Sequence, residues 1–239
     1  MTSRFWPLAC AALGLALFAS QGRAQEKAPL DGSYVAIKAT LGIGGSRIVK
    51  TDTVSSGGVN VNVSDAARRS DKLDVSYGVA GQYMFALHRY FALGGLLGVM
   101  SWRSNNAGSD ASRNTALDLA LVPQGRVPVT QTIELYVALP IGLTLDWWNE
   151  VENSASVSTL ASVNVDANTA VGFTVSLVAG ARVALVDNFG LFTELGFTHR
   201  QFSHEVTLSA AAVGINLASG KANADVTMDQ FAWNIGAFF

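Results

Sequence analysis

Gln230-Phe-Ala-Trp-Asn-Ile-Gly-Ala-Phe-Phe239 alternates without a break: Phe231, Trp233, Ile235, Ala237 and Phe239 fall on one face, and Gln230, Ala232, Asn234 and Gly236 on the other. Period-two alternation marks a β-strand set between two unlike environments, one greasy and one small or polar. Large rings at a chain end fray in water unless something buries them. Lipid outside and a polar interior inside would satisfy both faces of this strand.

The strand resembles the C-terminal assembly signal of Gram-negative outer-membrane β-barrels, with Phe231, Trp233, Ile235 and Phe239 as the residues that carry the likeness. The resemblance implies recognition by the barrel-assembly machinery. It also implies contact with outer-membrane lipid and lipopolysaccharide, and it points to the small eight-stranded OmpA/OmpX-like barrels.

The other end of the chain agrees. Residues 1–24 read as a cleavable secretory signal, with Arg4 as its charged start, Leu8 to Ala19 as its apolar core and Gly22-Arg-Ala24 as a small-x-small cleavage site. The apolar run is too short to span a bilayer, which takes roughly 20 residues. Cys10 is a poor lipoprotein site, because little apolar sequence precedes it and Pro7 sits in its flank. It is also the only cysteine, so the exported chain is expected to use no disulfide even where oxidation would allow one. A short periplasmic segment over 25–32 and a barrel over 33–239 complete the expected organisation. With the barrel reaching the end of the sequence, no periplasmic wall-anchoring domain is expected.

The 16 Lys and Arg stand against 18 Asp and Glu, a formal net charge of −2. Loss of Arg4 and Arg23 with the leader makes the mature chain more acidic still, and nothing in it invites nucleic acid. Although 49% of residues are hydrophobic, no stretch beyond the leader approaches the roughly 20 apolar residues of a membrane helix. The apolar content is dispersed by alternation instead. In hydrocarbon every backbone N–H and C=O must be paired internally, so strands that span have to close into a barrel.

About eight segments are long enough to cross as tilted strands of roughly 9–11 residues. They run over 33–44, 73–86, 90–103, 115–129, 133–148, 171–185, 191–203 and 230–239. The outer face is expected to carry Val35, Ile37 and Leu41 in the first, Leu117, Leu119 and Leu121 in the fourth, and Leu135 through Leu145 at odd positions in the fifth. The third is apolar on both faces and has no readable phase. Connections after the second, fourth and sixth segments are short, whereas 46–72, 149–170 and 207–224 are long and rich in Ser, Asn, Asp, Ala and Gly. Short periplasmic turns alternating with long external loops are the asymmetry of such barrels. An even strand count then places both termini in the periplasm. The expected fold is all-β: a closed antiparallel up-and-down transmembrane barrel.

Phe85, Tyr90, Phe91 and Phe192 fall toward the short-turn end, and Trp102, Trp147, Trp148 and Phe231 toward the long-loop end. Two such girdles suit rings that favour the headgroup level. Pro123 and Pro140 sit inside expected strands, where each lacks a ladder N–H, so the fourth-to-fifth hairpin is expected either to bulge toward its periplasmic end or to be wrongly assigned, in which case the strand count changes.

Alternation turns Lys38, Asp74, Asp118, Arg126, Glu134, Asp146, Arg182, Glu194 and Arg200 into the lumen. At about eight strands a barrel interior is only wide enough for side chains to fill. Opposite charges confined there should pair, because an unpaired buried ion is expensive. The expectation is a polar plug in a non-enzymatic membrane protein that supports envelope integrity or presents surface loops. The rival is a narrow pore in which the same charges line a file of water.

An outer-membrane lipid hydrolase or protease is the reading from another class. Thr198-His-Arg-Gln-Phe-Ser-His-Glu205 supplies His, Ser and Glu. However, His199 and Ser203 lie about 13 Å apart on one strand face at about 3.3 Å per residue, far beyond the roughly 3 Å that proton transfer requires. The chain carries no His-Glu-x-x-His, Gly-x-Ser-x-Gly, Walker or EF-hand motif, and no cofactor or metal is expected. Residues 57–64, 154–165 and 206–216 keep partial alternation, which allows strands to continue past the membrane with exposed edges. A soluble lipocalin-like barrel, with its apolar face turned inward around a ligand, is the other fold considered.

Overall fold

The computed structural model describes residues 30, 32–56, 59–62, 69–106, 109–150, 161–167, 169–212 and 215–239. The expected leader and most of 25–32 lie outside the described residues, as do parts of the long connections. Alternating β-branched, aromatic and small residues give twelve strands among the described residues: β1 (Tyr34–Ser56), β2 (Val59–Asn62), β3 (Arg69–Leu73), β4 (Ser76–His88), β5 (Phe91–Asn106) and β6 (Ser109–Pro128). β7 (Ile133–Ala138), β8 (Ile141–Glu150), β9 (Ala161–Ala167), β10 (Ala170–Val186), β11 (Phe189–Ala212) and β12 (Ile215–Phe238) follow.

Each neighbour in the ring is antiparallel. β1 pairs with β4, β4 with β5 and β5 with β6; β6 pairs with β7 and its continuation β8. These pair with β10, β10 with β11 and β11 with β12. β12 returns to β1, which makes eight staves in a closed meander. The seam is bonded to its last residue, with Val35 N donating to Phe239 O at 3.1 Å and Phe239 N to Val35 O at 2.9 Å. Closure leaves the ring without an edge, as a sheet in hydrocarbon requires.

Side chains sort cleanly across the wall. Leu119, Leu121, Leu143, Leu195 and Ile235 are exposed on the outside, while Ala116, Ala120, Val122 and Met84 are buried inside. That is the reverse of a soluble barrel built around an apolar ligand. Trp233, on the outer face, donates its indole N–H to Thr193 Oγ1 at 2.8 Å. An indole in lipid needs that partner.

The apolar band has a sharp upper limit. On β11 and β12 it ends at the cross-strand pair Phe197 and Phe231, whose rings lie 5.1 Å apart. The next outward pairs are His199 with Asp229, Ser203 with Asp225 and Glu205 with Lys221. Both strands are 24 residues long, against roughly 9–11 needed to span, so the hairpin continues well past the band. Much of what the composition suggests as loop at 46–72 and 207–224 is therefore strand. β2 folds back on β1, β3 continues the β4 stave between β1 and β5, and β9 pairs with β11.

The prolines do not bulge the hairpin as expected. Register is the same on either side of them, with Leu121 opposite Ile141 and Gln124 opposite Ala138. The stave is interrupted only at Leu139-Pro140, between β7 and β8. The Pro123 carbonyl accepts Leu139 N–H at 3.0 Å and the Pro140 carbonyl accepts Ser176 N–H at 2.8 Å. Each proline keeps its acceptor role and gives up only its donor.

A register shift does occur on β1, between Gly42 and Gly44. Gly44 takes φ 145°, a conformation that favours glycine. The extra residue reverses the parity of β1, so Lys38 below the bulge and Arg47 above it both face inward and are both buried.

Candidate functional site

The candidate site is the lumen, and its inward residues form two polar layers. In the layer nearer the short turns, Glu194 of β11 is held by three donors: Lys38 Nζ of β1 at 2.8 Å, Tyr136 OH of β7 at 2.9 Å and Asn234 Nδ2 of β12 at 2.9 Å. Arg182 of β10 lies against its register partner Glu134, with Nε 2.7 Å from Oε1 and Nη2 donating to Oε2 at 3.0 Å. Its guanidinium stacks 4.4 Å above the Tyr34 ring, a desolvated cation–π contact. Tyr34 OH in turn donates to Gln124 Oε1 at 3.0 Å. The apolar residues among these groups are Ala36, Met84, Ala92, Val122, Phe192 and Phe238.

The second layer lies toward the long loops. Arg200 of β11 reaches across two intervening staves to Asp118 of β6, with Nη2 2.5 Å from Oδ2 and Nε 3.3 Å from Oδ1. Arg200 Nη2 also approaches Met100 Sδ of β5 at 3.6 Å, on the opposite wall. Gln230 Nε2 donates to Ser76 Oγ over Gly42 of the intervening β1. Above this lie His204 and Asp146, both fully buried, with Nε2 3.1 Å from Oδ2 and Asn114 Nδ2 donating to the same oxygen at 3.3 Å. Trp102, Phe202, Val226 and Met228 pack around them. Between the two layers is a cavity of about 80 Å³ bounded by Lys38, Thr40, Asp118, Thr198, Arg200 and Asn234. At roughly 10–15 Å³ per water, it has room for a handful of water molecules.

Of the nine charges expected inside, Lys38, Arg126, Glu134, Asp146, Arg182, Glu194 and Arg200 are buried in the lumen. Asp118 joins them in its pair with Arg200. Asp74 is the exception: it is half-buried at the break between β3 and β4, with its backbone N–H on Arg103 O at 3.0 Å. Arg126 is held near the short turns, where Nη2 donates to His88 O at 2.9 Å.

Among the expected girdle rings, Phe85, Tyr90, Phe91 and Phe231 are exposed outside, and Trp147 is half-buried. Trp102 and Phe192 are corrections. Both face the lumen, at 1% and 7% exposure, because both occupy even, inward positions on their strands. The side chain of Trp148 lies outside the described residues.

Sequence spacing missed several lumen residues. Arg47 is hidden by the parity reversal at Gly42/Gly44. His204 looks like interfacial polarity until β8 brings Asp146 to it. The catalytic candidates do not assemble: His199 Nδ1 is 2.7 Å from Asp229 Oδ1, while Ser203 is bonded to Asp225 instead. Among the described residues there is no cluster of three metal-ligating side chains.

Several solved structures are similar to this chain. The outer membrane protein OprG from Pseudomonas aeruginosa is 12% identical over 87% of this chain and 94% of that one, with a TM-score of 0.53. Neisserial surface protein A is 8% identical over 82% of this chain and 97% of its own, with a TM-score of 0.40. The outer membrane protease OmpT from Escherichia coli is 8% identical over 84% and 96%, with a TM-score of 0.38. No family model matches the sequence, and no curated protein matches it. The likeness to OprG bears on the fold alone: this chain has the closed antiparallel β-barrel fold of that protein.

Proposed function

We propose that this chain is a non-enzymatic outer-membrane protein whose lumen is plugged by its own paired charges, and that it serves envelope integrity or presents its extended strand ends at the surface. The observation that carries the proposal is the Arg200–Asp118 pair, which ties β11 to β6 across the interior with both side chains largely buried. Lys38–Glu194, which bridges β1 and β11 over β12, and the adjacent-strand pair Arg182–Glu134 add buried ion pairs nearer the short turns. Opening a water path would separate these ions, and breaking one buried pair costs about 3–5 kcal/mol.

Eight staves bring both ends of the barrel to the short-turn side, which is the periplasmic side in this proposal. The alternating face of Phe231, Trp233, Ile235 and Phe239 is proposed as the element read by the assembly machinery. The polar outer pairs above Phe197 and Phe231 are proposed to stand among the lipopolysaccharide sugars. The separation of His199 from Ser203, each engaged by a different aspartate, supports a non-catalytic role.

Proteoliposomes test the plug. With the refolded protein incorporated, isotonic arabinose should produce no more swelling than in empty liposomes. Sugar entry that rises with protein content would make the chain a narrow pore instead.

A further inference from the structure

We infer that Leu30, ahead of β1, is a cork seated in the short-turn mouth of the barrel, latched by two arginines through its backbone carbonyl. Leu30 is only 3% exposed, although it precedes the first strand. Its side chain belongs to the apolar cluster with Tyr34, Met84, Ala92, Val122 and Phe238. Its carbonyl oxygen accepts from Arg182 Nη2 at 2.7 Å and from Arg126 Nη1 at 3.3 Å.

The positions of the donors make this a closure and not a rim contact. Arg182 stands on β10, three staves from β1 in one direction, and Arg126 stands on β6, three staves away in the other. A residue that reaches both lies across the mouth. At the rim, Ser33 Oγ accepts Ala86 N–H of β4 at 3.2 Å. Arg126 also grips the β4–β5 turn through His88 O, so the same guanidinium joins cork and wall. Charge-assisted bonds of this kind are roughly twice as strong as neutral ones. They read a main-chain oxygen, so the latch tolerates any apolar side chain that fills the cluster.

The cork shares Arg182 with the layer nearer the short turns, whereas the Arg200–Asp118 pair sits deeper. Removing the cork should uncover a blind vestibule that includes Ala92, which is fully buried at the end of β5 nearest the turn. It should not open a through path.

The test uses single cysteines in a Cys10→Ser background and the anionic, membrane-impermeant reagent sulfonatoethyl methanethiosulfonate. Leu30→Cys should react at least tenfold more slowly than Ser33→Cys on the exposed rim. Ala92→Cys should be protected in the parent and in Leu30→Met. Leu30→Lys sets an ammonium against both arginines and should speed Ala92→Cys modification at least tenfold.

The inference is overturned if Leu30→Cys reacts as fast as Ser33→Cys. It is also overturned if Ala92→Cys stays protected in a Leu30→Lys barrel that keeps its heat-modifiable migration. Should Leu30→Lys not fold, the comparison of Leu30→Cys with Ser33→Cys decides alone. Conductance of Leu30→Lys reports on the deeper Arg200–Asp118 pair, which shares no residue with the latch, so cork and plug fail separately.

Discussion

Lys38 Nζ meets Glu194 Oε2 at 2.8 Å across 156 positions of sequence, from staves separated by β12. Tyr136 and Asn234 direct their hydrogens at the same carboxylate, so three staves besides its own converge on Glu194. Glu194→Gln leaves Lys38 without its counter-ion in a confined space, and should cost about 3–5 kcal/mol in urea unfolding of the micelle-bound barrel. Adding Lys38→Met to Glu194→Gln, which removes the unpaired ammonium and keeps an amide acceptor for Tyr136 and Asn234, should recover most of that loss. A double variant as unstable as the single one would contradict the pairing.

The boundary at Phe197 and Phe231 makes a second prediction. Leu195 projects into the band and His199 lies just above it. Leu195→Arg should destabilise the barrel in bilayers by about 2–4 kcal/mol, whereas His199→Arg should change it by no more than about 1 kcal/mol, the value expected near an interface. Equal penalties would move the band.

The tryptophans separate lumen from lipid. Trp102 is buried inside and Trp233 is 42% exposed outside. In brominated-lipid vesicles, Trp233→Phe should remove fluorescence that bromine quenches, and Trp102→Phe should remove fluorescence that it does not. Quenching of the Trp102 signal would return that ring to the girdle.

Backbone conformation at the β1 bulge is also testable. An added Cβ meets nothing within 4 Å at Gly44 or at Gly81, and only Gly44 has the positive φ of 145°. Gly44→Ala should therefore cost about 1–3 kcal/mol, the usual penalty for a strained backbone. Gly81→Ala should be close to neutral in the same unfolding assay.

These contrasts show which parts of the molecule the sequence makes legible. Where one face is large and the other small or charged, as in Ile133 to Leu145 or Gln230 to Phe239, parity alone tells inside from outside. β5 defeats this, because Gly94, Gly95 and Gly98 interrupt both faces and Leu93, Leu96 and Leu97 straddle them. Trp102 consequently reads as an interfacial ring until Ser101 and Arg103 are seen to take the outer face. Arg47 is lost to a one-residue bulge that no alternation count detects. The His204–Asp146 contact joins β11 to β8 through the lumen, and local spacing carries no record of it.

In the proposed plug, Arg200–Asp118 and Lys38–Glu194 together close the lumen. Single-channel recording of the refolded protein in planar bilayers tests it most directly, with the Glu194→Ala, Arg200→Ala double variant alongside. The account predicts a silent parent and a double variant that conducts. Steady, ion-selective openings in the parent would contradict it and make the chain a narrow pore.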